Sequence, residues 1–402
     1  MLPLLIALVL TGAPDSNWVA FRGTYGNSLA PATELPLTWS QSENVAWRVK
    51  LRASGQSSPI VWEDKVFVSS AEGKSKGTLV ATCINLANGA VVWEKKLASA
   101  MPQEDNGYVS KAAPTPTVDS ERAYFFFESG DLLSLSHAGE LVWKRSLSKE
   151  YGPLRGNHGL GSSLALTDGA VIVLVDHDGQ SYMLSVDRET GKNRWKIERT
   201  SGSGWSSPIV ARFGDAERIY VSISKKLEAF DATSGKRLWH LDGLDGNNVP
   251  SPTLTKDLVV IGSGSAGFNL GIRRGGSGDV KMTHVAWSAQ GVTSSFPSPL
   301  VHNGRVYFVG RSGALTCVDA ADGKVKWQKR LPAACWASPI GADERVYFFC
   351  KDGTTLVLKA DETGEELAKN QLPVDDVVYG VAAVRGSFVV RTGTQLTRIG
   401  TP

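Results

Sequence analysis

The stretch DATSGKRLW, Asp231 to Trp239, sets an acid, two small polar residues and a glycine ahead of a tryptophan, with Gly235 four positions before Trp239. Glycine takes positive φ at no steric cost, and an Asp or Ser side chain can hydrogen-bond the backbone of a turn. A large ring a few residues later suits a strand that buries it against a neighbour. By itself the nonapeptide is a hairpin.

The hairpin recurs along the chain. NLANGAVVW ends at Trp93, DRETGKNRW at Trp195 and DAADGKVKW at Trp327, while AGELVW keeps Gly139 and Trp143 at the same spacing. HVAW retains only its Trp287, NVAWRVKL carries Trp47, and DETGEELA sets Ala368 where the ring would stand. A second ladder runs in step with the first: SSPIV at Pro59, TPTV at Pro116, SSLAL at Leu164, SSPIV at Pro208, SPTL at Pro252, SPLV at Pro299 and SPIG at Pro339. Each of these is followed by a turn and a short apolar run such as ERAYFFF or GRVYFVG. A period of roughly 40 to 50 residues with four strands per unit is the blade of a β-propeller.

With an eighth, degenerate copy, GVAAVRGSFVVRT near Ala382, the inner-strand segments count eight blades, with seven as the alternative if the degenerate fifth unit is an insertion. The last unit stops near Ile399 after three strands, and the first outer strand, Asn44 to Leu51, stands alone. That N-terminal strand is expected to complete the final blade and so remove an open sheet edge. The expected division is a signal peptide at 1–16, an N-terminal extension at 17–43 and one all-β propeller domain at 44–402.

Composition narrows function by exclusion. The 402 residues are 42% hydrophobic and 21% charged, with 42 Gly and 12 Trp, which describes a turn-rich globular chain. A formal net charge of +3 without a basic stripe argues against a nucleic-acid partner. MLPLLIALVLTGAPDS is too short to span a bilayer, and Thr11 and Ala13 offer small residues for signal cleavage, so a periplasmic or secreted location is expected. No cysteine follows that run to carry a lipid, and no transmembrane segment is expected. Cys83, Cys317, Cys335 and Cys350 contain no CxxC; a disulfide among the last three is left open. The six histidines show no HExxH, and SGSGWSS lacks the helix that a nucleophile elbow requires. No metal site is expected. SGSAG and RRGGSGD lack a P-loop lysine and read as a long hairpin.

The DATSG, DRETG and DAADG turns followed by Trp, together with the inner strands that start at Ser-Pro, resemble the PQQ-like β-propeller repeat family. That family includes quinoprotein alcohol dehydrogenases and BamB-type outer-membrane assembly factors, and the resemblance runs from about Trp47 to Ile399. It implies that Trp47, Trp93, Trp143, Trp195, Trp239, Trp287 and Trp327 are structural, each docking on the next blade. A dehydrogenase of the family would use PQQ and Ca²⁺ beside an adjacent cysteine pair, which this chain lacks, so neither cofactor is expected. The resemblance implies an exported, non-catalytic scaffold, expected to be monomeric, that binds a protein, peptide or carbohydrate partner through one face of the ring. A periplasmic PQQ-dependent oxidoreductase is the alternative.

Loops at one mouth of a propeller's channel commonly carry its ligand. Arg155, Asn157, His158, His177, Trp205 and Trp336 are the candidate binding residues. Trp205 and Trp336 stand outside the tryptophan ladder, each just before an inner strand.

Overall fold

Inside the DATSG hairpin, Asp231 Oδ1 accepts the Ser234 N–H and hydroxyl at 2.8 and 2.6 Å, and Gly235, at φ +71°, donates to the Asp231 carbonyl. The same device closes the turns at Asp187 and Asp361. Repeated, these hairpins generate eight antiparallel sheets in a computed structural model that describes residues 17–30, 34–102, 111–156 and 158–400. The ring has eight blades, not seven.

Blades 1 to 7 are each built on four antiparallel strands in sequence order, blade 4 with one added, opening with Ile60–Trp62, Thr117–Val118, Ala165–Leu166, Ile209–Phe213, Thr253–Leu254, Leu300–His302 and Ile340–Ala342. Blade 8 takes Gly380–Val384, Ser387–Arg391 and Gln395–Ile399 from the end of the chain and Val45–Lys50 from its start. Arg48 pairs with Thr397 and Lys50 with Gln395 in that closing ladder. The middle strands are largely buried, Ala170–Val175 along its whole length, because each blade is sandwiched between two others. The fifth blade is degenerate for a structural reason. The excursion between Leu270–Arg273 and Val285–Ser288 turns back, and Gly278–Asp279 pairs in parallel with Trp239 and His240 as a fifth strand on blade 4.

Tryptophan and glycine of successive hairpins are partners. The Trp195 indole donates to the Ala232 carbonyl of the next blade at 3.1 Å and lies against Gly235. Trp47 with Gly89, Trp93 with Gly139, Trp143 with Gly191, Trp287 with Gly323 and Trp327 with Gly364 repeat the contact. The blade 5 excursion replaces the glycine for Trp239, whose indole donates to the Arg274 carbonyl and is fully buried. Blade 7 lacks its ring at Ala368. Trp39, from upstream of the repeats, fills the wall between blades 7 and 8 instead, its ring against Tyr347, Phe349 and Phe388 and its backbone N–H donating to Asn370 Oδ1 at 2.9 Å.

Residues 17–30 cross the channel. Trp18 exchanges two backbone hydrogen bonds with Val61 in blade 1, and the Val19 carbonyl accepts the Val118 N–H of blade 2. Arg22 is fully buried and donates to the Pro252 carbonyl at 2.9 Å, the Pro299 carbonyl at 3.3 Å and the Thr253 hydroxyl, which belong to blades 5 and 6. Gly341 of blade 7 donates to the Ser28 carbonyl, and Ala30 donates to that of Gly341. A segment held by blades on opposite sides of the ring closes one end of its channel. Burial with neutral acceptors alone pulls the Arg22 guanidinium well below the usual arginine range.

Among the described residues no helix is long and apolar enough to cross a membrane. The expected signal peptide at 1–16 lies outside the described residues.

Candidate functional site: the open mouth of the channel

Seven inner strands present a serine or threonine at one level, and these hydroxyls form a belt. The backbone N–H of Ser58 donates to Thr115 Oγ1, that of Thr115 to Ser163 Oγ, and so on through Ser207, Ser251 and Ser298 to Ser338, at 2.8 to 3.1 Å. The Ser-Pro ladder is thereby explained. The serine accepts a bond from the preceding blade, and proline, lacking an N–H, opens the next strand without leaving a donor stranded. The eighth position is Gly380, where a Cβ would lie 2.0 Å from Ser58 Oγ, so blades 8 and 1 approach too closely for any side chain.

Alternate residues of an extended segment share a face, so the residue two positions before each belt hydroxyl also faces the channel. In order these are Gln56, Ala113, Gly161, Trp205, Val249, Phe296 and Trp336. Small residues stand on blades 2 and 3 and large rings on blades 4, 6 and 7. Trp205 leans into the space Gly161 leaves, where a Cβ would lie 2.8 Å from the indole, and donates to the Gly159 carbonyl at 2.9 Å. Phe296, Trp336 and Tyr379 form a row with ring centroids 5.6 and 5.5 Å apart. Phe21 of the crossing segment also lines this space, giving a cup of about 560 Å³ with an aromatic wall.

Two cations sit on that wall. Arg311 lies 5.9 Å from the Phe296 centroid and Lys351 Nζ 4.6 Å from that of Trp336. Among the described residues neither has a carboxylate within ion-pair distance, and no Asp or Glu lines the cup. The Tyr379 hydroxyl donates to Asp376 at 2.8 Å; burial, reinforced by that bond, pushes its phenol up.

The structure divides the candidate residues. His158, Trp205 and Trp336 line the cup, with the His158 ring 5.6 Å from Trp205. Arg155 is exposed and is not part of the cup wall. His177 is buried: its Nδ1 accepts the Arg155 and Gly179 N–H groups, and its Nε2 meets the Gln180 carbonyl at 3.1 Å. Both ring nitrogens are thus used in holding the loop, which leaves none for a ligand. Asn157 lies outside the described residues. Sequence reasoning missed Phe296 and Phe21. Phe296 stands two residues before Ser298, so aligning the repeats on their serines would have found it; Phe21 carries no such mark.

A profile of the family described as outer membrane protein assembly factor BamB matches residues 37–157, 137–313 and 279–371. The chain belongs to this family. Relatives in the BamB family include the assembly factors BamB of Moranella endobia, 24% identical over 60% of this chain and 58% of that one, and of Shewanella oneidensis, 25% identical over 69% and 65%. The chain therefore spans about three fifths of the length of these relatives. Two solved structures share the fold: the quinohemoprotein alcohol dehydrogenase of Comamonas testosteroni (TM-score 0.72, 14% identity, 96% of this chain and 81% of that one) and BamB of Moraxella catarrhalis (0.64, 14%, 88% and 98%).

Proposed function

We propose that this chain is an exported, non-catalytic scaffold that binds a protein partner at the open mouth of its channel, as an assembly factor of the outer membrane. The observation that carries the reading is the cup itself: grouped half-buried rings, two cations without carboxylate partners among the described residues, and a floor closed by the chain's own segment. Aromatic and arginine side chains in such a setting commonly dominate interface energies. The names of the relatives point the same way and favour protein over carbohydrate.

The rival reading, a quinone-dependent dehydrogenase, draws on the shared fold alone. Calcium takes six to eight oxygen ligands, typically with carboxylates among them. Among the described residues the cup wall offers hydroxyls and rings and no carboxylate, and Cys335 and Cys350 are buried and not adjacent in sequence; these residues do not fit the calcium and quinone pair.

The test is site-specific photo-crosslinking from a benzophenone amino acid at Arg311 in intact cells. An adduct to a subunit of the outer-membrane assembly machinery, lost in Trp336→Ala, is expected. The reading fails if the adduct is absent, or forms equally from Val325 on the outer rim. Stoichiometric uptake of quinone and Ca²⁺ with dye-linked turnover would favour the enzyme.

A further inference from the structure

We propose that Cys335 and Cys350 are an intramolecular disulfide site, one that staples together the two loops carrying Trp336 and Lys351 at the mouth of the channel. The sulfurs lie 3.5 Å apart, and both residues are buried. The flanking backbone is already tied, since the Lys351 N–H donates to the Ala334 carbonyl at 2.8 Å. Closing from that separation to a bond of about 2.05 Å asks only for side-chain rotation of the kind disulfide geometry allows.

The other two cysteines provide an internal contrast. Cys83 and Cys317 lie in the third strands of blades 1 and 6, opposite Trp93 and Trp327, and burial pushes each thiol up to about 12. Neither pairs with another thiol. At the paired site the Cys335 S–H donates to the Cys350 sulfur, which holds the Cys350 thiol below its usual range.

The reaction is thiol–disulfide exchange with a small disulfide such as oxidised glutathione, or with a protein disulfide donor. One of the two thiolates attacks the donor, forming a mixed disulfide and releasing one thiol. The other, once deprotonated, attacks the protein sulfur of that mixed disulfide and releases the second. Two thiols lose two protons and two electrons, and the donor is reduced to two thiols. Because both sulfurs are closed off in the finished ring, exchange takes place while blade 7 is folding.

The consequence lies at the mouth. Trp336 directly follows Cys335 and Lys351 directly follows Cys350, and the ammonium of one rests on the ring of the other. The bond thus fixes the relative position of a ring and a cation before any partner arrives, which lowers the ordering cost of binding. The bond itself does not depend on the mouth being a partner site; its value for binding rests on the function proposed above.

The test begins with protein refolded in a glutathione redox buffer, denatured in an alkylating reagent, digested and mapped by mass. A peptide pair joining Cys335 to Cys350, about 2 Da lighter than the two free peptides, is expected, with Cys83 and Cys317 each alkylated. Alkylation of all four cysteines, or a link through Cys83 or Cys317, overturns the site. Iodide quenching of tryptophan fluorescence then compares oxidised with reduced protein. A difference that disappears in Trp336→Phe supports the coupling to the mouth; one that persists in Trp336→Phe, or no difference in wild type, overturns the coupling and leaves the mapped bond intact.

Discussion

The indole of Trp195 lies on Gly235 so closely that a Cβ there would come within 2.8 Å of the ring. One glycine therefore serves two purposes, since it also holds φ +71° in its own hairpin. Gly235→Ala is expected to cost about 1–3 kcal/mol through overpacking and backbone strain. Trp239→Ala, which empties a fully buried site, should cost about 3–5 kcal/mol. Urea unfolding measures both.

Arg22→Ala strands the Pro252 carbonyl and leaves the Pro299 carbonyl with the Thr253 hydroxyl as its partner, and a loss of about 1–3 kcal/mol is expected. Limited proteolysis should then cut within 17–30 at protease levels that leave the wild type whole. A variant that melts unchanged would show that the crossing segment contributes nothing to the ring.

Acid sensitivity follows from the hairpin carboxylates. The Thr190 backbone N–H, with Arg194, holds Asp187 at about 2, below an unfolded value of about 3.9. Its folded pKa is depressed, so its contribution is complete above about pH 4 and is lost as pH falls toward 2. Asp187→Asn keeps the turn's acceptor and removes the charge. Wild type should melt higher than this variant at pH 7, and the gap should close below about pH 2.

Replacing Trp336 by Ala should weaken partner binding by about 1–3 kcal/mol. Stability should fall far less than in Trp239→Ala, because Trp336 is half-buried at the rim of the cup. Titration calorimetry beside thermal unfolding separates the two effects. A loss of stability equal to that of Trp239→Ala would make the ring core packing.

Blade number and hairpin turns were legible in the sequence because each rests on a short motif that repeats, and the docking of the tryptophan girdle was what the family resemblance implied. The serine belt was visible as spelling but not as function, since its bonds run between blades. The crossing segment left no trace: Trp18 and Arg22 meet partners far along the chain, with no period to betray them. Trp39 escaped notice for the same reason, although the missing ring at Ala368 marked the gap that it fills. His177 shows a different limit. Residue type suggested a ligand contact, but orientation, which depends on the folded loop, assigned it to the backbone.

The strand Val45–Lys50 is among the first parts of the propeller to be synthesised, and its partner Gln395–Ile399 is among the last. Blades 1 to 7 can form one after another as the chain emerges, but the circle cannot shut until nearly everything has been made. Residues 17–30 sit upstream of that clasp and bond to blades 1, 2, 5, 6 and 7, so their full set of partners exists only once those blades stand in place. A nascent chain halted before Gln395 would be left as an open arc with two bare ends, its stopper without a complete seat.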